Sequence, residues 1–447
     1  MLPIILAGVA IGASIVLASC SNDEGADNDS GVQDTETGSD LDTDADTDID
    51  TDSDTDIDSG TDLDTDTDSD VDTDTETESA SDTDTYPDTP FAPGVSLYSD
   101  APCAFPASIT HEASDDRLYA TCGMPGSLWK SPPLGESGEW SEVAEVPGYP
   151  SNHIIMDDEY AVVAHSSPDG FTVVDRIGNT AVQTVSLADL TITDELDEEL
   201  AFVPNFPAGL YYYAAGQDLF VATSNLDNID YTDPSLTTFH AGTVLYFDYS
   251  GDGTFDTTNV RSIETTGVNP TGVASIDDNS FAVLSAAPYE PSVDEEAAID
   301  IFSLPDLERE GTALGAITGQ TSPVMPLTEG GIILIGVQKP GNKIMGVDST
   351  TAEIILDREM PDVENFISNV CAYGDVAVIS DFGAFGEGSA ILFAHTQATG
   401  WTGIPITPVT TGSSGPAVIV GDTLYQTVTA NDGMSGSIWQ ANLSGME

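Results

Sequence analysis

A unit of two short apolar strands around a polar turn recurs along the C-terminal four fifths of this 447-residue chain, and it limits the fold more than any other feature. In each copy a Pro or small-residue step leads into a strand, a turn rich in Asp or Asn follows, and a second apolar strand leads away. Four copies are clear: Phe105-Pro106 to Asp116-Arg117-Leu118, Tyr149-Pro150 to Asp158-Glu159-Tyr160, Phe206-Pro207 to Asp218-Leu219-Phe220, and Asn269-Pro270 to Asn279-Ser280-Phe281. Looser copies run from Ser322-Pro323 to Ile332, Ile367-Ser368 to Asp375-Val376, and Gly415-Pro416 to Asp422-Thr423-Leu424. Seven copies spaced about 42 to 60 residues apart fall in the range of units that stack side by side, because one such unit cannot bury its own faces.

Each copy continues into a third strand, such as Phe171 to Asp175, Thr243 to Asp248 or Ser437 to Ala441, and then an outer one. Four short antiparallel strands per unit predict an all-β, seven-bladed β-propeller over residues 91–447, with a six-bladed ring or a double sandwich as alternatives. The pattern resembles the broad class of NHL, YVTN and lactonase-like β-propellers, and Asn269-Pro270-Thr271-Gly272-Val273 is the step most like it. The seventh copy has only three obvious strands, whereas Val95-Ser96-Leu97-Tyr98 alternates apolar with polar and has no partner in the first copy. An open ring would leave unpaired strand edges, so Val95 to Tyr98 is expected to pair antiparallel with Ser437 to Ala441 and close it.

The N-terminal fifth has a different character. Residues 2–18 are almost wholly apolar, too short for a spanning helix, and end at Leu17-Ala18-Ser19-Cys20. That tetrapeptide resembles the lipobox of bacterial lipoproteins, although the customary early Lys or Arg is absent and an ordinary secretory signal is the alternative. The resemblance implies a signal peptide over residues 1–19, a lipidated Cys20, and anchoring to a membrane of the bacterial cell envelope, at the outer membrane or the cell surface.

Residues 20–90 form an Asp/Thr-rich linker. From Ser21 to Pro90 there are 28 acidic residues and no Lys or Arg, so this tract has little to bury and is expected to be a disordered, self-repelling stalk. A flexible coil of that length spans about 46 Å, and charge repulsion lengthens it. The remaining 357 residues hold 50 acidic residues against all eight Lys and Arg. A net charge of −42 repels polyanions and excludes nucleic acid as a partner.

Chemistry-bearing motifs are sparse. The five histidines, His111, His153, His165, His240 and His395, are scattered with no metal-binding pair at helical spacing. Asp115-Asp116, Asp157-Asp158 and Asp277-Asp278 recur at the same place in successive copies, as turn residues do. Asp248 to Asn259 has the spacing of a calcium loop, with oxygen ligands on Asp248, Ser250, Asp252, Asp256 and Asn259, the carbonyl of Thr254, and Gly253 at the sharp bend. The same residues also suit a hairpin turn that needs no metal. Cys103 and Cys122 are expected to form a disulfide, worth about 3 kcal/mol for a loop of that size, and Cys371 to be a buried free thiol.

Export signals beside absent catalytic constellations favour a non-enzymatic binding module whose loops or central channel take an extracellular or surface ligand. A metal-dependent hydrolase or lactonase in the channel is the alternative, with Asn152, His153, Asn205 and Asn269 near the starts of inner strands as its candidate residues. A structural envelope protein is the third reading.

Overall fold

The structure is a computed structural model that describes residues 95–445, apart from breaks at 124–125, 195–199, 201, 230–236, 287–296, 315–325, 328–330, 338–341, 362, 364–366, 374–375, 383–388, 397–402 and 431–432. The segment expected to be a signal peptide, Cys20 and the Asp/Thr-rich tract to residue 90 lie outside the described residues, as does the Pro323 step of the fifth copy.

The described chain is all-β in a β-propeller arrangement, with one short 3-10 turn, Leu187–Asp189. The first sheet holds Pro106–Glu112, Arg117–Gly123, Gly126–Pro133 and Ser141–Glu145, paired in chain order, and the second holds Tyr149–Ile155, Tyr160–Ser166, Gly170–Asp175 and Thr180–Ser186. The third is built from Pro207–Tyr213, Asp218–Thr223, Ala241–Phe247 and Val260–Val268, with Ile192–Thr193 added parallel to its outer edge. The fourth runs from Pro270–Asp277 to Glu308–Leu314 and the fifth from Pro326–Leu327 to Ile354–Glu359.

Burial explains the composition of each strand. Second strands such as Asp218–Thr223 and Val376–Asp381 are buried at every position, since both faces are covered by neighbouring sheets, and they read as continuous apolar runs. Outer strands such as Thr180–Ser186 are mostly exposed and polar. Three of the four clear copies begin their first strand with Pro and the other has Pro150 one residue in, positions where a missing N–H breaks no interior ladder bond. In all four the register shifts just after that Pro, between Pro106 and Ser108, Pro150 and Asn152, Pro207 and Gly209, and Pro270 and Gly272. The repeat seen in sequence is thus a proline-plus-bulge that starts each inner strand.

The seven copies do not give seven separate sheets. Among the described residues there are six sheets of four or more strands, in line with the six-bladed alternative and against the seven-bladed count. The cause is one uninterrupted strand, Gly403–Val420, whose first half pairs with Ser389–Thr396 and whose second half pairs with Thr423–Ala430. It joins the sixth and seventh copies into one seven-stranded sheet. The partner changes at Gly412, where a Cβ would collide with the Thr429 carbonyl oxygen, and only glycine fits so close an approach. The two halves of this sheet face each other across a shared core that includes Cys371, Val378, Leu424 and Val428.

At the edge of that sheet Val95–Asp100 pairs antiparallel with Gly436–Asn442, Val95 opposite Ala441 and Leu97 opposite Trp439. The strand expected to close the ring from the far end of the sequence therefore does so. Tyr98 packs edge-on against Tyr425, ring centres 5.0 Å apart, and a core of Ile109, Leu118, Val418, Tyr425 and Ile438 joins this end to the first sheet. Hydroxyl ties bind sheet to sheet: Ser151 donates to the Pro207 carbonyl at 2.8 Å, Ser224 to Pro270 at 2.6 Å, and Thr429 to Ala104 at 2.8 Å. Cys103 and Cys122 are disulfide-bonded, their Cα atoms 6.0 Å apart. The buried Cys371 thiol is free, takes a hydrogen bond from the Asn369 amide at 3.1 Å, and is pushed up to about 12 by burial.

Candidate functional site

In an antiparallel sheet the start of the first strand and the end of the second lie at the same end, so the residues flanking these points in the third copy converge. Asn205 and Asn225 are the struts of this end. The Asn205 side chain accepts from the Leu226 N–H at 2.7 Å and donates to the Leu226 carbonyl at 3.0 Å, reading that backbone as a neighbouring strand would. Asn225, fully buried, donates to the Ala241 carbonyl at 2.7 Å and accepts from the Asn205 N–H at 3.3 Å. These bonds hold a small hairpin of Leu226–Asp227 and Thr238–Phe239 above the sheet.

On that hairpin His240 Nε2 lies 2.8 Å from an Asp227 carboxylate oxygen, and its ring stacks on Phe202 with centres 5.3 Å apart and planes inclined by 11°. Both partners of the His–Asp pair are open to solvent. Among the described residues no hydroxyl or thiol is hydrogen-bonded to His240. What it offers is a flat aromatic surface with a hydrogen-bonding edge, which suits recognition. Sequence reading missed this grouping, because Phe202, Asp227 and His240 match no spacing motif and meet only through the two asparagines.

His153 is placed quite differently from a channel catalyst. It is 1 % exposed, and its two ring nitrogens meet Ser108 Oγ at 2.5 Å and Thr110 Oγ1 at 2.7 Å, with Thr121 Oγ1 a further 2.7 Å beyond Ser108. It bolts the first strand of the second sheet to that of the first. Asn152 accepts from the His153 N–H with its own side chain at 2.7 Å. His165 is likewise buried, between the Pro168 carbonyl at 2.8 Å and Thr172 Oγ1 at 3.2 Å. Among the described residues no hydrogen bond links Asn152 or His153 to Asn205 or Asn269. Asn269 is 1 % exposed with φ +56°, a left-handed conformation that Asn tolerates, and neither side-chain amide atom has a hydrogen-bond partner.

Burial pushes the His153 imidazole down to about 3, and His165 is also lowered by burial. A histidine depressed in the folded state gives stability that is complete above its unfolded value near 6.5 and is lost as pH falls from there toward 3. Replacing His153 by Gln, which keeps one donor and one acceptor, should flatten the loss of melting temperature between pH 6.5 and 4 relative to the parent. Parallel curves for the two proteins would show that His153 is not held neutral.

The calcium-spaced segment is a docked hairpin. Tyr249–Gly251 pairs with Thr254–Phe255, and the turn residues Gly251, Asp252 and Gly253 all have positive φ. Ser250 and Thr254 hydroxyls lie 2.9 Å apart, while Asp256 accepts from the Thr258 N–H at 2.8 Å and hydroxyl at 2.7 Å. Those two bonds lower the Asp256 carboxyl from its ordinary value. Gln183 of the second sheet bonds both backbone groups of Phe255, at 3.0 and 2.8 Å, and a Cβ on Gly253 would strike the Tyr160 ring. Phe255, buried, meets Phe171 edge-on at 6.0 Å. The glycines thus let the hairpin lie flat on the second sheet. Among the described residues no three His, Cys, Asp or Glu side chains are arranged to hold a metal ion, so Asp248, Asp252 and Asp256 are not brought together as ligands.

The paired acids act in their turns. Asp157 accepts from the Glu159 and Tyr160 N–H groups at 2.8 and 2.7 Å, and Asp277 from the Asn279 N–H at 2.8 Å.

No protein-family model matches this chain. No curated protein matches it either. Among solved structures it is similar to hydrazine synthase from Kuenenia stuttgartiensis, with a TM-score of 0.55 and 13% sequence identity over 76% of this chain and 96% of that one. At that identity the likeness is one of fold, and the fold it supports is the β-propeller.

Proposed function

We propose that this chain is a lipid-anchored propeller of the bacterial cell envelope, held out on an acidic stalk, that binds an extracellular or surface ligand without transforming it. The observation that carries the reading is the commitment of the buried histidines. His153 and His165 have both ring nitrogens engaged within the protein, while of the two His–Asp pairs among the described residues, His111 with Asp116 and His240 with Asp227, the second stands beside the aromatic ring of Phe202. Leu17-Ala18-Ser19-Cys20 supports the anchor, and the tract that follows supports the stalk.

Three measurements test the reading. Cys20→Ala should leave the protein out of the detergent phase, and quantitative partitioning of the mature variant into detergent would refute lipidation. The purified chain, screened against a glycan array, should bind ligands that Phe202→Ala or His240→Ala weakens at least tenfold. It should turn over neither lactones nor esters, with or without millimolar calcium. Turnover abolished by His153→Ala would put the channel hydrolase in its place.

A further inference from the structure

A cavity of about 670 Å³ opens at the seam between the third and fourth sheets, away from the loop end described above. One wall is the outer strand Val260–Val268, the other the turn and strand start from Pro305 to Arg309. Its size is that of a small-molecule site.

The chemistry of its lining is selective. Arg261 lies over the Tyr246 ring, 4.2 Å from guanidinium carbon to ring centre, a contact made through the face of the ring. Among the described residues no acceptor takes a hydrogen bond from that guanidinium. The other arginine in the lining, Arg309, is already engaged: it pairs with the buried Asp300 at 3.6 Å, donates to the Glu264 carbonyl, and stands over the Phe302 ring. In a domain of net charge −42 with only eight basic residues, a stacked guanidinium with open donors is an unusual commitment. The lining also carries the carboxylates of Asp306 and Glu308, both exposed, and of Asp194, next to the Thr193 that pairs with Arg261, together with the apolar Pro305, Leu307 and Ile263.

We propose that this cavity binds a small zwitterion of the amino-acid or short-peptide class, its carboxylate on Arg261, its ammonium toward Asp306 and Glu308, and its apolar body on Leu307 and Pro305. A rigid guanidinium fork matches a carboxylate in two parallel hydrogen bonds. A simple anion is disfavoured by these carboxylates and the field of the whole domain, and a simple cation by Arg261. The site does not depend on the loop-end reading and stands or falls separately.

The test is titration calorimetry on the full chain with leucyl-leucine at neutral pH, alongside its N-acetyl form, which lacks the ammonium, and its C-terminal amide, which lacks the carboxylate. The free dipeptide should bind, and each capped form at least tenfold more weakly. Arg261→Ala should weaken the free dipeptide at least tenfold and Arg261→Lys by less, both with the parent's melting temperature. Should Arg261→Ala also unfold the seam, the Asp306→Asn, Glu308→Gln double variant, which touches only exposed side chains, must bring the free dipeptide down to the level of its N-acetyl form. Absence of heat with leucyl-leucine, equal binding of the capped forms, an unchanged affinity in these variants, or tighter binding of inorganic phosphate would each overturn the proposal.

Discussion

Removing residues 91–99 should cost the domain about 5 kcal/mol, while removing residues 30–80 should leave its melting temperature unchanged. The first deletion takes away the strand Val95–Asp100, its ladder with Gly436–Asn442 and the Tyr98 ring on Tyr425. Several ladder hydrogen bonds at about 1 kcal/mol each, together with two half-buried apolar side chains, reach that figure. It also bares the strand around Ile438, an edge prone to pair with other chains. The second deletion only shortens an acidic tract that has almost no apolar residues to bury. Thermal unfolding of the two proteins decides the matter, and equal losses would mean that Val95–Asp100 is not holding the ring.

Asp300→Ala should destabilise the domain by about 3 to 5 kcal/mol, the cost of breaking a buried charged network from one side. Asp300 is 0 % exposed in the third strand of the fourth sheet, yet it reaches across to the outer strand of the third. It accepts from the Thr266 N–H at 2.7 Å, from the Thr266 and Thr312 hydroxyls at 2.6 Å each, and pairs with Arg309. Loss of the carboxylate strands the Thr266 N–H and both hydroxyls in the seam and leaves Arg309 without its counter-charge. Asp300→Asn, which keeps the acceptor and the shape, should lose less than half as much. Adding Arg309→Ala to Asp300→Ala should cost much less than it does alone, since the two act through one contact. Additive losses in urea unfolding would show that the pair does not couple the sheets.

How much of this was legible in the sequence depends on the distance over which each feature is written. The repeat was legible because its signals are local: a Pro, a polar turn and an apolar run within fifteen or so residues. The pairing of Val95–Asp100 with Gly436–Asn442 was legible by elimination, one strand lacking a partner and one unit lacking a strand. The joining of the sixth and seventh copies was not, since nothing in Ile404-Pro405-Ile406-Thr407-Pro408 announces that a strand will run on through Gly412 and change partners there. Asp248 to Asn259 was legible only as two alternatives, because Asp and Gly at those spacings serve a metal loop and a tight hairpin equally well. The backbone pairs as a hairpin, and Gln183, some 70 residues earlier, docks it on the second sheet. The His240 pair, the Asp300 network and the Arg261 cavity all join residues from separate strands, and no single stretch of sequence contains them.

The position of the disulfide has a mechanical meaning. Tension applied to the amino-terminal side enters the domain at Val95, and Val95 sits opposite Ala441, so a pull between the two ends loads the ladder one bond at a time, in peeling and not in shear. That is the weak direction for a strand edge. Three residues beyond Asp100, however, the chain reaches Cys103, covalently fastened to Cys122 in the second strand of the first sheet. A tear begun at Val95 would therefore run through one strand and halt, transferring the load to a fully buried part of the next sheet. The bond acts as a rip-stop: an oxidised domain pulled from this end should yield a short first extension and then hold, whereas a reduced one should unravel onward into the first sheet.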